Sequence, residues 1–287
     1  MRRPARTAPT RVAGSLLTRL LIWLLAGCLA AAGLSSCDSA AGQPHRKLVW
    51  SDEFDGANGA LPDPAKWKLE QFADATDDEK QCYTDQPDNV HTDGNGYLVI
   101  SAIAASGNCA DGWYRDVTSA RLTTQGLHSW KHARFEIRAK MPSGVGTWPA
   151  FWAMGDDPKL QWPAVGEIDA MEYVGRNRSH VIGTVHGADD AGDHWFLQAD
   201  ADSDTLLSAD MHTYAVEWDA DQVSWYLDGK EYGTVTRDEV EAEGDWAFDR
   251  PFYLILNLAI GGVLGGEVPA GLTFPQELVV DWVRVYA

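Results

Sequence analysis

Residues 164–175 read Ala-Val-Gly-Glu-Ile-Asp-Ala-Met-Glu-Tyr-Val-Gly, and they set three acidic residues, Glu167, Asp169 and Glu172, into an otherwise apolar segment. Ionised carboxylates are costly to bury, and carboxylates held close together repel one another. A strand with a purely structural role gains nothing from them, unless it is an acidic edge exposed to solvent. The apolar residues between the acids argue against such an edge. The segment therefore predicts a site at which carboxyl groups carry out chemistry.

The spacing of the three acidic residues predicts a local irregularity in this segment. Its β-branched and aromatic residues favour a strand over a helix, and a glycine bounds the run on each side. Side chains alternate along a strand, so Glu167 and Asp169 share one face while Glu172 points to the other. One extra residue, a β-bulge near 170–171, would return Glu172 to the face of its partners. Carboxyl groups that converge in this way suit glycoside hydrolysis, which uses one as a nucleophile and another as a proton donor.

Strand patterns run through most of the remaining sequence. Apolar and charged residues alternate strictly from Ala133 to Lys140, and Phe252–Ile260 is a nearly continuous apolar run. Only Arg237–Glu243 is typical of a helix, and it is short. Further strands are predicted at His212–Trp218, Gln222–Asp228 and Leu278–Tyr286. Many short strands separated by Gly, Asp and Pro turns predict an all-β domain, either a two-sheet sandwich or a barrel.

The N-terminal segment is typical of an export signal. Five arginines fall within the first 19 residues, no acidic residue precedes Asp38, and an apolar stretch of 14 residues covers 20–33, too short for a comfortable membrane span. Residues 34–37, Leu-Ser-Ser-Cys, resemble the lipobox of bacterial lipoproteins, whose cysteine is lipidated. We expect a lipoprotein-type signal over 1–36, lipidation at Cys37 and a tether over 37–46. Lipidation at Cys28, in Leu-Ala-Gly-Cys, and ordinary secretion are the alternatives.

The charge of the chain excludes one class of partner. The formal net charge is −19, and removal of residues 1–36 takes away five of the 23 basic residues and none of the 42 acidic ones, which leaves −24. Nucleic-acid phosphates are repelled by such a protein, whereas a neutral polymer is indifferent to its charge. We therefore expect no nucleic-acid partner. We also expect a monomer whose only membrane contact is through the lipid anchor.

Two cysteines remain in the body of the chain. Cys82 and Cys109 form an even pair, and an exported protein enters an oxidising compartment, so we expect a disulfide between them. In the chain-entropy model, closing such a loop stabilises a protein by about 3–4 kcal/mol. The spacing of these cysteines fits no zinc site.

The tryptophans divide into two groups. Twelve of the 13 lie outside the signal segment, a high number for one domain. Trp218 and Trp225 occupy apolar positions of alternating strands, and we expect them in the core. Trp148 and Trp152 fall on one face of a strand, and Trp162 comes just before the acidic segment. Because flat aromatic rings stack on the apolar faces of sugars, we expect these three to contact a carbohydrate.

The acidic segment resembles the signature of glycoside hydrolase family 16 in its longer form, which carries the bulge residue. Six more segments occur in the right order and resemble the bacterial laminarinase branch of that family, namely Trp50–Gly56, Phe135–Pro142, Gly146–Trp152, Tyr214–Trp218, Leu256–Gly262 and Val280–Tyr286. Together they indicate that 47–287 is one catalytic domain. The resemblance implies an all-β fold, a β-jelly-roll sandwich of two antiparallel sheets with a substrate cleft across the concave sheet.

The same resemblance implies an activity, the endo-acting and retaining hydrolysis of β-1,3 linkages in β-glucans such as laminarin. Glu167 would be the nucleophile, Glu172 the general acid/base, and Asp169 the residue between them that tunes charge and hydrogen bonding. A retaining mechanism needs the nucleophile and the acid about 5–5.5 Å apart. The alternatives are a mixed-linkage β-glucan hydrolase and a non-catalytic β-glucan-binding protein, although binding proteins of this fold typically lack the catalytic carboxylates.

Other functional positions follow from the resemblance alone. Polar and aromatic residues would bind substrate, namely Asn89, Arg138, Trp148, Trp152, His186 and Asn257. As alternatives, His186 could be a buried structural histidine and Arg138 could orient a catalytic carboxylate. No cofactor is expected for catalysis, but a structural Ca²⁺ would be bound by the backbone carbonyls of Glu53 and Gly96 and by the Asp281 carboxylate, oxygen ligands suited to a hard cation. The acidic stretch Asp74–Lys80 departs from the family pattern.

Overall fold

A computed structural model describes residues 46–74 and 77–287, which form one compact unit. The predicted signal over 1–36, both candidate lipidation sites and nearly all of the predicted tether lie outside the described residues. Within the described ranges, no helix is long and apolar enough to span a membrane. The described elements, in chain order, are β1 (Leu48–Asp52), β2 (Lys68–Leu69), β3 (Gln81–Tyr83), β4 (Val90–Thr92), β5 (Leu98–Asn108), β6 (Tyr114–Ser119), β7 (Arg121–Thr123), β8 (Arg134–Lys140), β9 (Thr147–Gly155), β10 (Glu167–Glu172), β11 (His180–Ala188), β12 (His194–Asp202), β13 (His212–Trp218), β14 (Gln222–Leu227), β15 (Lys230–Thr236), α1 (Arg237–Glu241), β16 (Phe252–Ile260), α2 (Gly262–Gly265) and β17 (Gln276–Tyr286).

The strands form two sheets, as predicted for a sandwich. The ten-stranded sheet has the order β15-β14-β13-β8-β17-β5-β6-β3, with β1 beside β17 and β4 beside β5. The seven-stranded sheet has the order β12-β11-β10-β9-β16-β7-β2. The pairings between these strands are antiparallel, except that β3 pairs with β6 in parallel. The predicted acidic strand is therefore β10, third from one edge of the seven-stranded sheet.

Alternation and apolar runs account for the core between the sheets. In β8, Phe135, Ile137 and Ala139 are fully buried, whereas the charged residues between them are half-buried on the outer face. β16 is buried along its whole length, as its apolar run predicts for a central strand. Trp218 and Trp225, expected in the core, are 1 % and 0 % exposed. The helix α1 begins after Thr236, whose hydroxyl accepts a hydrogen bond from the backbone N–H of Glu239 in a capping box.

The predicted bulge is present in β10. Against β9, Asp169 pairs with Trp152 and Met171 pairs with Phe151, which leaves Ala170 as the extra residue. The register against β11 shifts over the same positions. Gly166, which precedes β10, has a φ of +80°, a backbone conformation that a side chain disfavours. The bulge returns Glu172 to the face that carries Glu167, because one added residue reverses the alternation.

Trp225 connects the bulge to the opposite sheet. This residue lies on β14, and its indole Nε1 donates a hydrogen bond of 2.7 Å to the backbone carbonyl of Asp169. The ring fits closely against Gly183 of β11, where an added Cβ would lie 2.3 Å from Trp225 Cδ1. A buried carbonyl that a bulge displaces from the strand ladder needs such a donor. The core tryptophan therefore also fixes the backbone between the acidic residues.

The expected disulfide joins Cys82 of β3 to Cys109, which follows β5, with a Cα–Cα distance of 5.3 Å. The strand β3 is only three residues long and pairs with a single neighbour, β6. All three of its residues are nevertheless buried. The disulfide and the loop after β5 therefore hold this short edge strand against the domain.

Candidate active site

A cavity of about 650 Å³ lies on the outer face of the seven-stranded sheet. Trp148 and Trp152 of β9 line it, as the strand alternation predicts, together with Trp162, Glu167, Glu172 and His186. Loop residues Asp74 and Asp77, from the acidic stretch that departs from the family pattern, also line it. A second cavity of about 660 Å³ lies among residues 189–191 and 237–250 and is lined by neither Glu167 nor Glu172. The first cavity therefore unites the acidic cluster with the three predicted sugar-stacking tryptophans.

Asp169 interacts electrostatically with both glutamates. Glu167 and Glu172 reach the cavity, whereas Asp169 is only 3 % exposed and shares a hydrogen bond with Glu167. His186 Nε2 lies 3.0 Å from Asp169 Oδ2. Two hydrogen-bonded carboxyl groups require one proton between them, because two carboxylates offer only acceptors. The buried Asp169 is thus placed to control the charge of Glu167.

Each glutamate receives a hydrogen bond from an indole N–H. Trp162 Nε1 donates to Glu167 Oε2 at 2.6 Å, and Trp148 Nε1 donates to Glu172 Oε1 at 3.1 Å. The Thr184 hydroxyl, on the neighbouring strand β11, donates to Glu172 Oε2 at 3.4 Å. These donors orient the carboxyl groups and stabilise negative charge on them. Two tryptophans predicted to stack on sugars therefore also hydrogen-bond directly to the acidic residues.

Burial raises the pKa of every member of the cluster. Desolvation, reinforced by the Asp169 charge and opposed by His186, raises the pKa of Glu167 to about 8. Desolvation likewise raises the pKa of Glu172 to about 7, with opposing contributions from His186 and from the hydrogen bonds of Trp148 and Thr184. Burial, followed by the Glu172 charge, puts the pKa of Asp169 well above its usual range. The cluster therefore retains protons near neutral pH, as a site needs when one carboxyl group acts as an acid.

Beside His186 lies an aromatic row, formed by Trp162, His194 and Phe196, that the sequence did not predict. His186 Nδ1 lies 2.9 Å from His194 Nε2, and the two rings stack with centroids 5.1 Å apart. The His194 ring also lies 4.7 Å from that of Trp162, and Phe196, two residues further along β12, is 55 % exposed in the cavity. Burial lowers the pKa of His194, and the neighbouring His186 lowers it further. This row gives one wall of the cavity an uncharged, flat surface.

The opposite part of the cavity is organised around Trp152. Its Nε1 donates to Asn257 Oδ1 at 2.8 Å, and the guanidinium of Arg121 lies 4.8 Å from the centre of its ring. Asn257 is only 5 % exposed and lies behind Trp152 on β16. We predicted that Asn257 binds sugar hydroxyls, but its contacts are with the protein. It supports a cavity residue instead.

The predicted role of Arg138 is wrong. This residue lies on β8 of the ten-stranded sheet, on the outward face, so the core separates it from the acidic cluster. Its guanidinium pairs with Asp281 on β17, the neighbouring strand. Neither substrate binding in the cavity nor orientation of a catalytic carboxylate is available to it. The resemblance identified a residue of a family segment, and only the assignment of β8 to a sheet revealed its location.

Asn89 is also separated from the cavity. It is 2 % exposed, its Nδ2 donates to the Ser101 carbonyl at 2.9 Å, and its Oδ1 accepts from the Thr84 hydroxyl at 2.6 Å. Both ends of its amide therefore bond to the protein. Asn89 lies just before β4, and its hydrogen bonds connect segments in and next to the ten-stranded sheet. The prediction of direct sugar contact is wrong.

The residues predicted to bind calcium are partly brought together. A Cβ built on Gly96 would lie 3.9 Å from the backbone carbonyl oxygen of Glu53, so these two backbones are neighbours. The carboxylate of Asp281 is paired with Arg138, and the side chain of Glu53 with Arg284. In the described ranges, the one group of three or more potential ligand residues whose ligand atoms lie within 4.8 Å of one another is Glu167, Asp169 and His186. These residues belong to the acidic cluster or contact it, and they lie away from the predicted calcium ligands.

A β-sandwich with two glutamates and a buried aspartate at an aromatic-lined cleft has the site of a two-carboxylate glycoside hydrolase. Residues 77–284 match the family described as glycosyl hydrolases family 16, and the chain belongs to that family. It is 41 % identical over 280 residues to the beta-glucanase of Rhodothermus marinus, which covers 94 % of this chain and 93 % of that protein. It is 37 % identical over 254 residues to the glucan endo-1,3-beta-glucosidase of Cryptopygus antarcticus, with 82 % and 91 % covered. The solved structure of the Rhodothermus marinus laminarinase superposes with a TM-score of 0.74 and 41 % identity, over 84 % of this chain and 97 % of that one.

The hydrogen bond from Trp148 makes the pH dependence of hydrolysis testable. It lowers the pKa of Glu172, so Trp148→Phe should raise that pKa and keep Glu172 protonated to higher pH. We expect the alkaline limb of the profile of kcat/KM against pH to move upward by about 0.5–1 pH unit. Trp113→Phe, at an exposed tryptophan outside the cavity, is the control and should leave the limb in place. An unchanged limb in Trp148→Phe would show that Glu172 does not set it.

Proposed function

We propose that the protein is a retaining, endo-acting β-1,3-glucanase that acts outside the cell. The observation that carries this proposal is the cluster of Glu167, Asp169 and Glu172, whose two glutamates line an aromatic-walled cleft and each accept a hydrogen bond from an indole N–H. Relatives named for endo-1,3-β-glucosidase and laminarinase activity support the choice of linkage. A β-glucan is uncharged, which suits a protein with a net charge of −19.

The proposed reaction has two steps. In the first, the Glu167 carboxylate attacks the anomeric carbon while Glu172 donates its proton to the departing glycosidic oxygen, so a glycosyl ester forms as the glycosidic bond breaks. In the second, Glu172 takes a proton from water, whose oxygen attacks the anomeric carbon and releases Glu167. Esterification removes the negative charge of Glu167, and because that charge raises the pKa of Glu172, the loss favours its role as a base. Each step inverts the anomeric carbon, so the product retains the configuration of the substrate.

The neighbouring residues support these roles. Turnover requires Glu167 to be ionised, so the proton that it shares with Asp169 must reside on Asp169, the more deeply buried carboxyl group with the strongly raised pKa. The indole N–H of Trp162 then remains bonded to the charged Glu167. The aromatic row formed by Trp162, His194 and Phe196 gives sugar rings a flat surface on the same side of the cavity.

The test is incubation of the purified domain over 47–287 with laminarin, lichenan, agarose and xylan, followed by analysis of product length and anomeric configuration by NMR. We expect laminarin to be cleaved fastest, into oligosaccharides that first appear as the β-anomer. Preference for lichenan would favour a mixed-linkage hydrolase, and tight laminarin binding without cleavage would favour a binding protein. First appearance of the α-anomer would refute the retaining mechanism.

Glu167→Gln tests the assignment of the nucleophile. We expect kcat to fall by at least about 10³-fold with laminarin binding retained, because the amide cannot form the glycosyl ester. Glu277→Gln, at an exposed glutamate of β17 on the other sheet, is the matched control and should be fully active. A Glu167→Gln variant that keeps the wild-type rate would overturn the assignment.

We also propose a structural Ca²⁺ bound by the carbonyls of Glu53 and Gly96 and by the Asp281 carboxylate. The proximity of the first two supports the site, whereas the Arg138 guanidinium competes with the cation for Asp281. Calcium that binds only the folded state raises the melting temperature. We expect Ca²⁺ to raise the Tm of the wild type and not that of Asp281→Asn. Asp238→Asn, at an acid of α1, is the control, and equal shifts in all three proteins would argue against this site.

The N-terminal segment is proposed to direct export and to anchor the protein by a lipid on Cys37. The arrangement of arginines, apolar run and lipobox-like residues in 1–37 supports this proposal. Mass spectrometry of the mature N-terminus from the native host is the test. We expect a diacylated or triacylated cysteine at position 37. Acylation of Cys28 or an unmodified terminus would refute the assignment, and the unmodified terminus would indicate ordinary secretion.

A further inference from the structure

A continuous line of hydrogen bonds runs from the cavity into the interior. It begins at Trp152, whose indole Nε1 donates to Asn257 Oδ1 at 2.8 Å. Asn257 Nδ2 then donates to the Tyr83 hydroxyl oxygen at 3.0 Å, and the Tyr83 hydroxyl donates to Glu79 Oε2 at 2.8 Å. Asn257, Tyr83 and Glu79 are 5 %, 1 % and 5 % exposed. A line of buried side chains therefore links a ring of the cleft to a buried carboxyl group.

The chemistry of the groups fixes the direction of every bond in this line. An indole N–H can only donate, so the amide oxygen of Asn257 faces Trp152 and its nitrogen faces Tyr83. The hydroxyl hydrogen of Tyr83 is then directed to Glu79, which must accept. Gln81 also donates from Nε2 to Glu79, and its Oε1 accepts from the backbone N–H of Ile260 at 2.7 Å. The line therefore has one consistent arrangement of hydrogens, and it ends at an acceptor.

The far end of the line is anchored on two sides. The segment that carries Glu79 bridges to Gly261, beyond the end of β16, and the backbone N–H of Lys80 donates to the Ile260 carbonyl. Tyr83 belongs to β3, which the Cys82–Cys109 disulfide holds in place. Desolvation raises the pKa of Glu79 to about 7, and the hydrogen bonds from Tyr83 and Gln81 favour its ionised form. Burial of a carboxyl group costs free energy, and Glu79 does not belong to the acidic cluster of the cleft. We therefore look for its contribution at the other end of the line, at Trp152.

We propose that Glu79 and Tyr83 are positioning residues for substrate, which act through Asn257 to hold the Trp152 ring upright in the cleft for stacking against a glucosyl unit. Neither residue lines the cavity. The Arg121 guanidinium lies 4.8 Å from the centre of the same ring, so one bond at the indole nitrogen and one contact at the ring face define its orientation. The proposal rests on the proposed function for the identity of the ligand.

A double-mutant cycle tests this coupling. Tyr83→Phe removes only the hydroxyl, and Trp152→Phe removes the indole N–H at the other end. In the wild-type background we expect Tyr83→Phe to weaken the binding of laminarihexaose by about 3- to 10-fold, with kcat within about twofold of the wild type. In the Trp152→Phe background the same substitution should have no further effect on binding. Equal effects in both backgrounds would overturn the proposal, because they would indicate that Tyr83 acts independently of Trp152.

Two further variants distinguish an effect of the hydrogen-bond line from the general effect of removing a buried polar group. Glu79→Gln places an amide where two donors converge, and it should repeat the binding loss of Tyr83→Phe and its absence in the Trp152→Phe background. Tyr214→Phe removes the hydroxyl of another buried tyrosine, on β13 of the other sheet, and should bind laminarihexaose as the wild type does. A binding loss in Tyr214→Phe as large as that in Tyr83→Phe would also overturn the proposal.

A readout without sugar separates this proposal from the proposed function. In protein labelled with 5-fluorotryptophan, the ¹⁹F resonance of Trp152 is the one absent from Trp152→Phe. We expect that resonance to shift or broaden in Tyr83→Phe and in Glu79→Gln, but not in Tyr214→Phe. A wild type that neither binds nor cleaves laminarin would refute the proposed function, and the ¹⁹F spectra would still decide the coupling. A Trp152 resonance that is unchanged in both Tyr83→Phe and Glu79→Gln would refute the positioning role.

Discussion

The active site depends on one extra residue in one strand. Ala170 has no partner on β9, and this bulge brings Glu172 to the face that carries Glu167. A bulge also displaces a backbone carbonyl, and Trp225 of the opposite sheet satisfies the Asp169 carbonyl with a bond of 2.7 Å across the core. The packing of the two sheets and the arrangement of the acidic cluster are therefore coupled through one indole ring.

Burial of three acidic residues would destabilise the sheet without donors, and the cleft provides them from aromatic side chains. Trp162 donates to Glu167, and Trp148 donates to Glu172. The same rings line the cavity, so in the proposed function one residue type would serve both sugar stacking and charge stabilisation. Desolvation still prevails and raises the pKa of all three carboxyl groups. A site that must hold one carboxyl protonated and another ionised requires this balance.

Much of the fold and part of the site could be predicted from the sequence, because periodicity is a local property. Alternation predicted β8, β13 and the shared face of Trp148 and Trp152, and the spacing of the acids predicted the bulge. Predictions of long-range contacts fared worse. Arg138 has a side chain suited to ligand binding but lies on the outer face of the opposite sheet. The side chains of Asn89 and Asn257 form hydrogen bonds within the protein. His194 and Phe196 escaped notice because nothing local shows which strand lies beside β12.

The sequence by itself determined that carboxyl groups gather on a strand, that a bulge is needed to align them and, through the alternation in its other segments, that the chain is all-β. These properties follow from side-chain alternation and from the cost of burying charge, both of which act within a few residues. Only the tertiary structure decided which donors satisfy those carboxyl groups, which aromatic rings form the walls of the cleft, and that a buried line from Glu79 reaches Trp152. Those contacts join residues far apart in the chain, and sheet order rather than local pattern brings them within hydrogen-bond distance.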